Sequence, residues 1–91
     1  MDSDWDKKRK ALISRLRRVE GQLRGIQRMM EEDQDCERVA QQLSAARKAL
    51  DKTFFETMAC ALQQEIAKHE TNEGATDDQI RHITALLSKY A

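Results

Sequence analysis

Apolar residues recur along the first third of the chain at alternating steps of four and three: Leu12, Leu16, Val19, Leu23, Ile26 and Met30. This heptad-like seam predicts an amphipathic helix over about residues 4–31. Ser3 or Asp4 can cap its start, and Asp4 and Asp6 suit a first turn whose backbone dipole is positive. The acidic turn Glu31-Glu32-Asp33-Gln34-Asp35 ends it, and Asp33 or Asp35 can cap the next helix. From Asp35 to about residue 70 there is neither Pro nor Gly, so the stretch reads as one helix on the order of 50 Å long. It carries two adjacent apolar rows, one of Val39, Leu43, Ala46, Leu50, Phe54 and Ala61, the other of Phe55, Met58, Ala59, Leu62 and Ile66. A helix apolar around so much of its circumference needs more cover than one neighbour gives, so a dimer or a higher assembly is expected. Thr71-Asn72-Glu73-Gly74-Ala75 breaks the pattern, and Thr76-Asp77-Asp78-Gln79 is a capping box opening a third helix over about 76–90. Ile80, Ile83, Leu86 and Leu87 mark the apolar face of that helix. The expected fold is all-α, a single domain over residues 1–91 with three helices.

Composition changes this picture through distribution rather than totals. The formal net charge is zero, which alone argues against a simple basic nucleic-acid binder. Between Lys7 and Arg28, however, lie nine cations (Lys7, Lys8, Arg9, Lys10, Arg15, Arg17, Arg18, Arg24, Arg28) against the single anion Glu20. Arg47, Lys48 and Lys52 add a second cluster at the middle of the long helix. Together they form the kind of positive surface that binds DNA phosphates with steep salt dependence; a merely solvated charged face is the alternative. No helix-turn-helix spacing is visible. Gly21 and Gly25, four apart in the first helix, are either tolerated or leave room for another backbone to approach. No Gly-rich phosphate loop and no nucleophile–base constellation is present, so the chain is not read as an enzyme, and no cofactor is required. No apolar run reaches the roughly 18 residues of a membrane span, nor does the N-terminus resemble a secretory signal. A cytoplasmic protein with thiols reduced at rest is expected.

Both cysteines fall on the long helix, Cys36 at its start and Cys60 toward its far end. Twenty-four residues of straight helix separate them by roughly 36 Å, far beyond the roughly 4.4–6.8 Å Cα separation of a disulfide. If two copies of the helix pair antiparallel about a centre near Lys48, Cys36 of one faces the Cys60 region of the other, twice by symmetry. Alternatively Cys60, between Ala59 and Ala61, is only a small buried hydrophobe.

The segment Arg15-Leu16-Arg17-Arg18-Val19-Glu20-Gly21-Gln22-Leu23-Arg24-Gly25-Ile26, then Asp35-Cys36, then Gln41-Gln42-Leu43-Ser44-Ala45-Ala46-Arg47-Lys48-Ala49-Leu50, resembles the copper-sensing operon repressor family, the CsoR/RcnR/FrmR type. The likeness covers nearly the whole chain. It implies an antiparallel dimer with a four-helix-bundle core, a dimer of dimers, and repression of transcription from operator DNA until an inducer meets the sensing cysteine. By resemblance Cys36 falls at that cysteine, and Arg15, Arg18 and Lys52 fall where the family places DNA-contacting cations; Arg47 and Lys48 extend the set.

At the inducer site the chain differs from its relatives. Where copper-sensing members present a His and a Cys, it has Ala61 and Glu65. Aldehyde-sensing relatives use that His and a Pro after the initiator Met, and here those positions are Ala61 and Asp2; the nickel and cobalt types need several His, against His69 and His82 alone. Persulfide-sensing relatives use two Cys and no His, although their second Cys takes the position of Glu65. Two mechanisms are open. In the first, reactive sulfur or another electrophile modifies Cys36 and the partner's Cys60 resolves it with a disulfide or polysulfide bridge across the dimer, lowering DNA affinity. In the second, a transition metal ion as inducer binds Cys36 and the partner's Cys60, with Glu65 or His69, and produces the same shift. A sensor that uses Cys36 alone, as for an aldehyde, is a further alternative.

Overall fold

The computed structural model describes residues 4–68 and 76–91, Lys68 and Thr76 by their backbone only. The expected linker 71–75, Ser3 and His69 lie outside the described residues. Three helices follow in order: α1 (Asp4–Glu31), α2 (Cys36–Lys68) and α3 (Thr76–Tyr90), with no strand among the described residues. The all-α reading holds, with Asp4 and Asp6 in the first turn of α1 and Asp77 and Asp78 in that of α3.

The reversal between α1 and α2 is built from backbone groups that a helix end leaves without partners. The Gln34 N–H donates to the Met29 carbonyl at 3.0 Å and the Asp33 N–H to the Met30 carbonyl at 3.1 Å. This paired pattern is a Schellman motif, which needs a left-handed residue just past the helix end. Asp33 supplies it with φ of 56°; a short acidic side chain tolerates that region better than a branched one. Two residues later the Asp35 carbonyl accepts the Val39 N–H at 3.1 Å. Asp35 is therefore the N-cap position, and Cys36 is the first residue of α2.

The chain divides into two compact units, Met1–Glu56 and Thr57–Ala91. In the first, α1 and the start of α2 form an antiparallel hairpin about that turn. Its buried residues recur every seven positions, Leu12, Val19 and Ile26 on α1 and Val39, Ala46 and Thr53 on α2. Ile26 and Val39 are equally far in sequence from the Glu32–Asp33 bond, as are Val19 and Ala46, and Leu12 and Thr53. An antiparallel pairing sets such residues level, giving three rungs of one seam. Val19, Ile26, Val39 and Ala46 form a single cluster, with Met29 and Ala49 packed against it. Burying each large apolar side chain stabilises the hairpin by about 1.5–3 kcal/mol.

Only half of the α1 seam is used in this way. Leu16, Leu23 and Met30, interleaved with the buried residues at the same period, are 39%, 37% and 57% exposed, and Leu43 and Leu50 are each 41% exposed. The hairpin thus carries a second apolar stripe that one chain does not cover. In the second unit, α3 leaves Ile80 and Leu87 exposed while Ile83 and Leu86 are half-buried.

Gly21 and Gly25 do not mark a close approach within the chain, since a Cβ added at either meets nothing within 4 Å. Gly21→Ala should therefore stabilise the protein by roughly 0.5–1 kcal/mol, through helix propensity alone. Urea unfolding followed by circular dichroism checks this. A lower midpoint would instead mean that the backbone of another chain packs on this face.

Candidate functional site

Cys36 takes its place from the turn. As the first residue of α2 it follows the N-cap and lies exposed. It borders a shallow depression of about 260 Å³ lined also by Met30, Asp33, Gln34, Val39, Ala40 and Leu43. Met30 and Leu43 belong to the exposed apolar stripe, so Cys36 stands at one end of that stripe. Cys60 differs in kind. It is buried, and it continues the buried period of α2 that runs through Val39, Ala46 and Thr53. Both cysteines are free thiols.

The cations expected at a DNA surface divide into two groups. Arg18, Arg47, Lys48 and Lys52 are exposed, and Arg18 and Arg47 are equally far in sequence from the turn, so the hairpin sets the basic stretches of α1 and α2 at one level. Arg15 is held. Its side chain is only 21% exposed, and its Nη1 lies 3.4 Å from Glu56 Oε1. The same nitrogen donates to Thr53 Oγ1 at 3.4 Å, while the Thr53 hydroxyl donates to the Ala49 carbonyl at 2.9 Å. Thr53 and Glu56 do not stand out in the sequence. Thr53 lies one heptad beyond Ala46, and Glu56 one turn further on, a spacing that could have identified both as neighbours of α1.

Of the possible metal ligands, Glu65 pairs with His82 of α3, Oε1 to Nδ1 at 2.7 Å. The Glu65 side chain is 17% exposed and that of His82 is 63% exposed. A second depression, of about 310 Å³, lies beside them and is lined also by Ala85, Leu86 and Lys89. The partnership of Glu65 with His82 was not visible in the sequence, because it depends on how α3 returns along α2. Among the described residues no three His, Cys, Asp or Glu side chains converge as a metal ion needs. No helix among the described residues is long and apolar enough to cross a membrane.

Comparison with known proteins places these features in context. The profile of the metal-sensitive transcriptional repressor family matches residues 8–89. An uncharacterized protein from the bioA 5′ region of Serratia marcescens is 25% identical over 81 residues, 89% of each chain. The transcriptional repressor RcnR of Citrobacter koseri is 28% identical over 79 residues, 87% of each chain. The copper-sensing transcriptional repressor RicR of Mycobacterium tuberculosis is 64% identical over 36 residues, which cover 40% of this chain and 38% of RicR. No solved structure matches the chain.

The contrast between the thiols has a direct check. Under native conditions Ellman's reagent should titrate Cys36 at least roughly tenfold faster than Cys60, since exposure controls access to the sulfur. Cys36→Ser should remove the fast phase and Cys60→Ser should leave it. Equal rates would show that the burial of Cys60 does not hold in solution.

Proposed function

Because the chain belongs to the metal-sensitive transcriptional repressor family, we propose that it is a repressor that binds operator DNA through its basic hairpin face and is released when reactive sulfur modifies Cys36. The observation that carries this reading is the placement of Cys36, an exposed thiol at the end of the uncovered apolar stripe. A second copy covering that stripe buries Leu16, Leu23, Leu43 and Leu50 in a four-helix core and joins the basic faces into a wider surface. It also ties the chemical state of Cys36 to the geometry of the assembly. The functional unit is a homodimer or a homotetramer acting in the cytoplasm, where its thiols start out reduced.

The positive surface uses Arg15, Arg18, Arg47, Lys48 and Lys52. Phosphate contacts of this kind set affinity and register on the duplex but carry no sequence information by themselves. The switch runs in two balanced steps. The Cys36 thiolate attacks the outer sulfur of an organic hydropersulfide, forming a persulfide on Cys36 and expelling the organic thiolate. The partner's Cys60 thiolate then attacks the inner sulfur of that persulfide, closing a disulfide between chains and releasing hydrosulfide. The hydropersulfide is the oxidant, so no further acceptor is needed. A covalent tie between α2 of one chain and α2 of the other biases the assembly toward a state of lower DNA affinity.

A metal-responsive repressor is the second reading, favoured by the family and by the names RicR and RcnR among its relatives. The pairing of Glu65 with His82 and the presence of Ala61 and Glu65 where copper-sensing members carry His and Cys count against the usual ligand set. A metal site would then draw on Cys36 with the partner's Cys60, Glu65 or His69. Intact mass under non-reducing conditions, after the reduced protein meets a persulfide donor, decides between them. The thiol switch predicts a covalent dimer, or one bearing added sulfur, that is absent in Cys60→Ala. Monomer throughout, with no added sulfur on Cys36, would overturn it in favour of the metal reading.

A further inference from the structure

We infer that Glu56 restrains DNA binding, by holding the Arg15 guanidinium in the free protein so that a DNA phosphate must displace the carboxylate to engage it. The inference rests on the reading that Arg15 belongs to the DNA surface. Among the five cations assigned to that surface, Arg15 alone is half-buried, whereas Arg18, Arg47, Lys48 and Lys52 are all exposed. Two groups of α2 hold it from the same side. Glu56 Oε1 lies 3.4 Å from Nη1 and neutralises its charge. Thr53 Oγ1, also at 3.4 Å, accepts from the same nitrogen and is itself fixed by donating to the Ala49 carbonyl at 2.9 Å.

The consequence follows from how cations bind DNA. Affinity comes from phosphate neutralisation and the release of condensed counterions, so a cation already paired with a carboxylate contributes less. Both contacts are at the long end of the hydrogen-bond range, and the Glu56 side chain is 26% exposed, so the pair is weak enough for phosphate to compete with it. Thr53 belongs to the buried rungs of the hairpin, so the restraint is anchored to the seam that fixes α1 against α2. A shift of α2 along α1 changes the hold on Arg15. That makes the pair a place where a change in the assembly reaches the DNA surface.

The test is the binding of a duplex taken from the region upstream of the protein's own gene, followed by fluorescence anisotropy across a salt series. Glu56→Gln keeps size and helix propensity while removing the charge. It should tighten binding roughly two- to fivefold at low salt, the scale of one partly exposed ion pair. It should also steepen the slope of log affinity against log salt by about 0.9, one more phosphate contact. Thr53→Val, which removes the other contact and keeps the shape, should move affinity the same way by less. The double variant Arg15→Ala/Glu56→Gln should bind like Arg15→Ala alone. Unchanged or weaker binding by Glu56→Gln, with Arg15→Ala clearly weakened, would overturn the inference and leave the DNA surface standing. No effect of Arg15→Ala on affinity or slope would instead remove Arg15 from that surface, and the inference with it.

Discussion

A hairpin register fixed at a single turn governs the packing of α1 against the first part of α2. Two backbone hydrogen bonds, from Gln34 to Met29 and from Asp33 to Met30, close the end of α1. The left-handed backbone of Asp33 lets the chain reverse there. Once the turn is set, antiparallel geometry puts Ile26 level with Val39, Val19 with Ala46, and Leu12 with Thr53. A slip of one residue along α1 would bring Ile13, Glu20 and Gln27, or Ala11, Arg18 and Gly25, to the levels of Leu12, Val19 and Ile26, and at least one charged residue would then face the seam. The same register sets Arg18 level with Arg47, puts Arg15 beside Thr53 and Glu56, and places Cys36 at the first position of α2. Packing, electrostatics and thiol placement therefore share one structural cause.

The apolar stripe explains why so small a chain is expected to act as an assembly. Three rungs, one of them closed by Thr53, make a thin core for a hairpin of this length. Small domains commonly need oligomerisation or another staple to become stable. The interleaved Leu16, Leu23, Met30, Leu43 and Leu50 supply apolar area for that purpose without taking part in the fold of the single hairpin. Cys36 lies at the end of this stripe, so a change at its sulfur acts where a neighbouring chain is expected to sit.

Much of the architecture was legible in the sequence because periodicity and turn chemistry agree. The steps of four and three in α1, the acidic turn and the Pro-free, Gly-free α2 led to three helices whose described bounds differ from the expected ones by a residue or two at most. Periodicity could not show how the seam divides. Leu12 and Leu16 look alike in a heptad pattern, yet within the hairpin one is buried on the side that α2 covers and the other is exposed. Thr53 was missed for a related reason. A hydroxyl inside an apolar stripe reads as solvent-facing until its bond to the Ala49 carbonyl and its contact with Arg15 show how burial is made tolerable. The sequence left Cys60 open between a thiol facing Cys36 of a second copy and a small buried hydrophobe, and it did not reveal that His82 pairs with Glu65. That pairing joins residues 17 apart and depends on the return of α3, which no local pattern encodes.

In the proposed switch the chemical state of Cys36 sets affinity for DNA. The most direct measurement is the dissociation constant for the upstream duplex at fixed salt, with reduced protein, with protein treated with a persulfide donor, and after reduction of the treated protein. Treatment should lower affinity within the roughly 5- to 150-fold range of allosteric couplings, an effect reversed by the reductant and absent in Cys36→Ser. Equal affinity of the reduced and treated forms, with sulfur demonstrably added to Cys36, would contradict it.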